Sequence, residues 1–262
     1  MTAMKCELLT PRVQRWLTET HKARILNRFD QVCNLVNDEG AAQGAVVSLV
    51  STNIGPGPFS MVLDGVFTPG EINAETAVSV DPFTRSLNIG TLRIDTDRAD
   101  LWNPIPDWQK MKAAAQPFLA YSLPPAGELV DDLARLVQGI TNRNRKVCQG
   151  AAGRLAGLGS GLTPAGDDML MGTLYAMWAW YPDRDLMRLI VDTAVPRTTT
   201  LSAAFLRAAG DGEATIHWHD LADGRTGALD RILAIGATSG RDAWIGFTTA
   251  AVQFCGLNPF SQ

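Results

Sequence analysis

The hydrophobic pattern changes its period once along this chain, and that change limits the folds open to it more than any other feature. Phe59, Met61 and Leu63 alternate with period two, as do Leu87, Ile89, Leu92 and Ile94, with a slip at Gly90-Thr91 that reads as a β-bulge. Val46, Val47, Leu49 and Val50 form a β-branched run of the same strand character. Gly55-Pro56-Gly57-Pro58, Thr68-Pro69-Gly70 and Asp81-Pro82 supply turns between these runs. Residues 43–95 therefore read as an antiparallel β meander, with a helix ahead of it over Arg12–Asn37. Past Trp102-Asn103-Pro104-Ile105-Pro106 the period becomes helical. Leu129, Val130, Leu133, Leu136, Val137 and Ile140 lie on one helical stripe, opposite Asp131, Asp132 and Arg135. Met169–Tyr181 is apolar all round except at Gly172 and Thr173, the pattern of a fully buried central helix, and Leu229–Ile235 and Ala243–Cys255 supply two more helices. The expected class is α+β: a β-rich antiparallel N-terminal half over residues 1–105 and a mainly α-helical C-terminal half over 106–262.

Charge narrows the partners. Lys and Arg total 23 against 27 Asp and Glu, a net charge of −4, so no basic field is present to hold a nucleic-acid backbone. Any bound anion must be held by local donors. The longest apolar run, Met169–Tyr181, is too short to cross a bilayer core of about 30 Å, which argues against a membrane role. Cys6, Cys33, Cys148 and Cys255 lie far apart without a C-x-x-C pair, and residues 1–10 carry no export signal. Reduced thiols and a cytoplasmic setting are the expectation.

The most informative segment runs from Gly157 to Asp168, GLGSGLTPAGDD. Thr163-Pro164 reads as the N-cap and first residue of a helix, and Asp167 and Asp168 then fall in the first turns, at the positive end of its dipole. Alternating glycines ahead of a helix N-terminus let a ligand approach unpaired, converging N–H groups. Gly159, Ser160, Gly161 and Thr163 are the candidate anion donors, and Asp167 and Asp168 the candidate catalytic acceptors. The bland alternative is a tight turn against a packed neighbour, with the two carboxylates serving only the dipole. No Lys follows the glycines and no strand precedes them, so neither a Walker A loop nor a dinucleotide fingerprint fits.

A weaker second copy lies near the C-terminus. Thr163 to Gly172 can be laid over Thr238 to Gly246 with one gap, pairing Thr163 with Thr238, Gly166 with Gly240, Asp168 with Asp242, and Gly172 with Gly246. Helices crossing at their glycines would point both N-termini at one pocket, which adds Asp242 to the candidates. Between the copies, Arg197-Thr198-Thr199-Thr200-Leu201-Ser202 either caps the helix that follows or supplies Thr199, Thr200 and Ser202 as ligand donors, with Arg207 as charge partner. His217 and His219 would share a face on a strand, yet no third ligand of suitable spacing stands nearby, so no metal site is assigned. Nor does a nucleophile motif support covalent catalysis.

Gly159–Asp168, Thr199-Thr200-Leu201-Ser202 with Leu206-Arg207, and Leu233–Gly246 together resemble the AllH-type family, and Gly55-Pro56-Gly57 resembles a turn in that family's first half. The family includes the small subunit of oxamate carbamoyltransferase of anaerobic allantoin degradation. The resemblance implies transfer of a carbamoyl group from carbamoyl phosphate to oxamate, giving oxalurate and phosphate, in a complex with larger carbamoyltransferase subunits. Small anions bearing amide groups need N–H donors for their oxygens and carboxylate acceptors for their NH2 groups, which the glycine loop and the Asp pair offer. A carboxylate repels a phosphate unless an amide N–H or Mg2+ stands between them; Mg2+ is the one cofactor this reading would admit. Arg154, Arg207 and Arg241 are the few available counter-charges, and the Ser-Thr-Arg-Thr run of transcarbamoylases is absent. Two alternatives stay open: a non-catalytic interaction subunit, and a Mg2+-dependent hydrolase or ligase acting on a small carboxylic acid.

Overall fold

The computed structural model describes residues 2–38, 44–67, 69–70, 72–121 and 129–256. The chain forms two compact units, Met1–Pro104 and Ile105–Gln262.

In the first unit the strands are β1 (Thr2–Leu9), β2 (Lys22–Arg28), β3 (Val32–Asn37), β4 (Val46–Ser51), β5 (Ser60–Leu63), β6 (Val78–Asp81), β7 (Ser86–Ile89), β8 (Leu92–Asp95) and β9 (Asp100–Leu101), with one helix, α1 (Pro11–Glu19), after β1. They hydrogen-bond in the order β5-β4-β3-β2-β6-β7-β8-β1, and a further β1–β5 pairing closes the sheet into a barrel. Closure leaves the β1 edge paired on both sides: β5 on one, β8 and then β9 on the other. Most neighbours are antiparallel, while β1–β8, β1–β9 and β4–β5 are parallel, so the sheet is mixed. Leu35, Leu49, Met61, Leu63, Leu87, Ile89 and Ile94 fill its core together with Val13, Trp16 and Leu17 of α1.

Two local expectations change. The helix expected over Arg12–Asn37 stops at Glu19, where Thr20 is extended, and β2 and β3 follow as an antiparallel pair. Lys22, Arg24 and Arg28 face solvent while Ile25 is buried, a period of two that the helix reading missed. The slip at Gly90-Thr91 is a two-residue hairpin turn, with Leu87 opposite Ile94 and Ile89 opposite Leu92, and Gly90 supplies the positive φ at its first position. Gly55-Pro56-Gly57 forms a turn in which the Gly57 N–H donates to Ser60 Oγ at 2.9 Å. Thr68 and Gln43 of the expected β region lie outside the described residues.

The second unit is helical: α2 (Trp108–Ala115), α3 (Leu129–Thr141), α4 (Arg145–Leu155), α5 (Ala165–Trp180), α6 (Arg184–Ala194), α7 (Thr200–Gly210), α8 (Ile216–Ala222), α9 (Ala228–Leu233) and α10 (Ser239–Phe254). The α5 helix is its centre, buried on all faces from Gly166 to Ala179 except at Met171 and Trp178. Its Tyr175 packs in an aromatic cluster with Trp218, Trp244 and Phe247, the Tyr175 and Trp218 ring centres 4.9 Å apart. The fold is α+β, with the strands and the helices segregated along the chain. No helix among the described residues is long and apolar enough to cross a membrane.

Candidate functional site

A helix packs against another at backbone distance only where neither carries a side chain at the crossing, and α5 and α10 cross in this way. A Cβ on Gly172 would stand 2.8 Å from the Ala243 carbonyl carbon, and one on Gly246 would stand 2.7 Å from the Met169 carbonyl carbon, closer than real Cβ atoms come. Met169 and Ala243 each follow the paired aspartates, so the contact is reciprocal. The same reciprocity holds one layer out. Gly166 abuts the carbonyl of Leu155 at the end of α4, and Gly240 abuts that of Ile232 in α9, each with its would-be Cβ 2.9 Å from the carbonyl carbon. Leu158 N–H donates to Leu155 O at 3.0 Å and Gly166 N–H to Leu158 O at 2.9 Å; Ile235 N–H donates to Ile232 O at 3.1 Å and Gly240 N–H to Ile235 O at 3.0 Å. The α4–α5 and α9–α10 hairpins are thus two copies of one arrangement facing each other.

Their N-termini meet. Thr163 Oγ1 and Ser239 Oγ lie 2.8 Å apart across the gap, so one hydroxyl bridge joins the mouths of the two helices. The helix starts one residue later than expected: Pro164 occupies the N-cap position, with no side-chain cap, because the Thr163 hydroxyl is turned to Ser239 instead of to its own helix. Asp168 is only 5 % exposed beneath this bridge. Its Oδ2 has no hydrogen-bond partner. Burial pushes its carboxyl up to about 8; the Ser239 hydroxyl works against that, the charges of Asp242 and Asp167 add to it, and the Thr163 hydroxyl again opposes it. Asp168 is therefore mostly the neutral acid at pH 7. Asp242, half-buried, is also raised by burial and eased by the Thr238 hydroxyl.

Asp167 has a different occupation. Its Oδ1 accepts the Gly157 N–H at 2.9 Å, its Oδ2 accepts the Thr198 hydroxyl, and the Ser202 hydroxyl also lowers a carboxyl that burial raises. Both oxygens are engaged by protein donors, which tie the glycine loop to the start of α7. Gly157 is there because φ is +73° and a Cβ would collide with the Arg197 carbonyl. Thr199 caps α7 by accepting the Ser202 N–H at 3.1 Å and donates its own hydroxyl to Leu162 O at 2.6 Å. The hydroxyl run thus does cap its helix, and it also fastens the loop.

Other candidates stand further out. Gly159, Ser160 and Gly161 are exposed, and their N–H groups donate to no acceptor among the described residues. Thr200 and Arg207 are exposed, Arg207 in the last turn of α7 and so at the far end from Ser202. Arg154 is committed to Asp132, with Nε 2.7 Å from Oδ1, and Arg241 is exposed. Among the described residues no cationic side chain forms an ion pair with Asp167, Asp168 or Asp242. His217 and His219 are in the helix α8, where a spacing of two turns them to opposite sides. Sequence reasoning left Thr198 and Ser239 out of the candidates, although each sits next to a hydroxyl residue that was considered. A cavity of about 820 Å³ in the barrel unit, lined by Glu7, Asp64, Asp95, Asp97 and Asp100 with Lys5 and Arg98, involves none of these motifs.

What fold and site define is a helical unit made of a duplicated hairpin, whose two helix mouths close over a buried carboxyl with one unpaired oxygen. Residues 155–251 match the family model described as oxamate carbamoyltransferase subunit AllH. The matched span takes in both copies of the hairpin crossing and the hydroxyl run between them. No curated protein and no solved structure matches the chain.

Proposed function

We propose that the chain is a subunit of an oxamate carbamoyltransferase-type enzyme, in which the mouth of α5 and α10 holds the acceptor acid while larger partner subunits complete the reaction. The reaction joins the carbamoyl group of carbamoyl phosphate to the nitrogen of oxamate, giving oxalurate and releasing phosphate. The observation that carries the reading is the unpaired, buried Oδ2 of Asp168 inside the segment that matches the AllH family. A polar atom so placed costs about 1–3 kcal/mol unless something pairs with it, so a ligand is the economical account of why it is kept. The exposed N–H groups of Gly159, Ser160 and Gly161 supply donors for the acid's carboxylate. Asp168 supports the reading as the acceptor-side residue, Asp167 as the brace that holds the loop, and Thr163 and Ser202 as hydroxyls beside them. Asp242 completes the mouth from α10, and Thr200 and Arg207 are peripheral on this geometry.

A role in purine or allantoin nitrogen catabolism and a cytoplasmic setting go with this reading. The four cysteines are free thiols. Mg2+ fits the Asp pair poorly. Asp167 spends both oxygens on protein donors, so the pair leaves Asp168 alone to face a divalent cation.

Thermal unfolding of the full chain with oxamate, oxalurate, carbamoyl phosphate or phosphate tests the reading. Oxamate or oxalurate at about 100 times its Kd should add about 2.7 kcal/mol of stability, and Asp168→Ala should cut that gain to about 0.4–1.4 kcal/mol. If none of the four ligands moves the midpoint, the reading falls.

A further inference from the structure

We propose that Asp168 is the specificity residue of the α5–α10 mouth and that it reads a primary amide, –C(=O)NH2, through a two-point hydrogen-bonded ring. The inference rests on the reading of that mouth as the acceptor site, and it adds which end of the acceptor lies inward and why a phosphate does not take its place. A carboxylic acid has one O–H donor and one carbonyl acceptor; a primary amide has the complementary acceptor and donor, so the two close a ring of two bonds. An ionised carboxylate could make only half of it.

The surroundings select for the acid form. Asp168 lies between Asp167 on its own helix and Asp242 on α10, with Tyr175 two turns below it on α5 and Glu213, after α7, acting on that tyrosine. All of these groups are acidic or neutral, and no cation among the described residues pairs with the three aspartates. A second negative charge brought to this point, whether the far carboxylate of a dicarboxylic acid or a phosphate, meets three carboxyl groups without compensation. An amide brings no charge. The acid's own carboxylate would then lie outward, toward the free N–H groups of Gly159–Gly161.

The Thr163–Ser239 bridge is the gate. Both hydroxyls also lie in hydrogen-bond reach of the Asp168 carboxyl, whose Oδ2 has no partner and essentially no solvent exposure, so the amide closes its ring only when the two hydroxyls part and release the second oxygen. Both residues are half-buried beside exposed Leu162 and Thr238, and parting them needs side-chain rotation alone.

Calorimetry on the full chain tests this with oxamate, oxalate, succinamate and inorganic phosphate between pH 6.5 and 9.5. Oxamate should bind and oxalate and phosphate should not. Binding should weaken about tenfold per pH unit above pH 8. Asp168→Asn, which keeps one acceptor and one N–H donor, should bind oxamate with no such pH dependence, and Asp168→Ala, checked for fold by circular dichroism, should lose about 10- to 100-fold, the worth of two hydrogen bonds. Oxalate binding as tightly as oxamate, or Asp168→Asn keeping the wild-type pH profile, overturns the assignment and leaves the acceptor-site reading standing. Succinamate bound with the same dependence on Asp168 and pH, while oxamate is ignored, upholds the assignment and overturns the oxamate reading. Binding of none of the four overturns both.

Discussion

Replacing Asp168 by asparagine should stabilise this protein at neutral pH and destabilise it near pH 4. The carboxyl titrates near 8 in the folded chain against 3.8 in the unfolded one, so between those values the folded state binds more protons, and stability falls as pH rises. Below pH 4 both states are protonated and no penalty applies. Each unit of displacement is about 1.36 kcal/mol, so at pH 7 the wild-type carboxyl costs about 4 kcal/mol relative to a neutral group of the same shape. Asparagine avoids that cost but buries an extra N–H, which takes back about 1–3 kcal/mol. The net gain is about 1–3 kcal/mol at pH 7, or about 2–12 °C in Tm at 2–4 °C per kcal/mol for a unit of this size. Tryptophan fluorescence followed during heating reads it directly, since Trp218 and Trp244 are buried in the same unit. The signature is the trend: the variant should start below the wild type at pH 4, gain on it up to pH 8 and then level off. A gap that stays constant with pH, or a wild type that gains on the variant as pH rises, would refute the placement of an uncompensated carboxyl beneath the bridge.

Other substitutions probe the frame. Gly172→Ala or Gly246→Ala puts a methyl group into a backbone carbonyl and should cost about 3 kcal/mol or more, read by chemical denaturation, whereas Gly161→Ala has open space and only its φ of +99° to resist it, about 1 kcal/mol. Asp132→Ala removes a half-exposed pair with Arg154 and Arg135 and should cost about 1 kcal/mol, less at high salt. Burial pushes the thiols of Cys6 up to about 12 and of Cys33 and Cys148 to about 11, so a thiol reagent at pH 8 should find them silent in the folded protein, with only the partly exposed Cys255 reacting and all four reacting in denaturant.

The class of fold was legible because the two periods differ over long stretches. Met169–Tyr181 could be read as central because it lacks a polar face, and α5 is indeed the buried axis of its unit. Barrel closure was not legible. It depends on β1, whose residues Thr2 to Leu9 mix Lys5 and Glu7 with apolar positions, and whose role is decided by pairing with β5, 52 or more positions away in sequence, for which no local pattern speaks. Residues Lys22–Asn37 were missed as strands because the polar residues at Asn27, Asn34 and Asn37 blur the alternation; Asn34 is nonetheless buried, donating to Asn27 Oδ1 at 2.6 Å. At the site, the loop, the two aspartates and the crossing glycines could be picked out by residue type. Their division of labour could not. Asp167 and Asp168 are neighbours in sequence with the same expected role, yet a helix turns successive residues by about 100°, and that rotation sends one toward Gly157 and Thr198 and the other toward α10.

The duplicated hairpin explains that division. In the second copy the residue at the place of Asp167 is Arg241, exposed to solvent, and the loop before it is shorter, with five positions from Ile235 to Gly240 where the first copy has eight from Leu158 to Gly166. A longer loop loses more entropy when ordered, and the first copy offsets that with the bonds of Asp167 to Gly157 and Thr198 and of Thr199 to Leu162. The shorter loop has no such span to fasten, so its equivalent position is free to be Arg241. The residues retained in both copies are those of the crossing itself: a glycine against the preceding helix, an aspartate one turn into the new one, and a glycine against the facing helix. Glycines alone would serve packing. An aspartate kept beside them in both copies, with its charge costly in one and raised by burial in the other, is a feature that packing does not require. Asp242→Asn should therefore lower the carboxyl of Asp168 by removing a like charge, shifting the pH at which oxamate binding fades downward by a fraction of a unit, and an unmoved profile would show that the two mouths do not share a site.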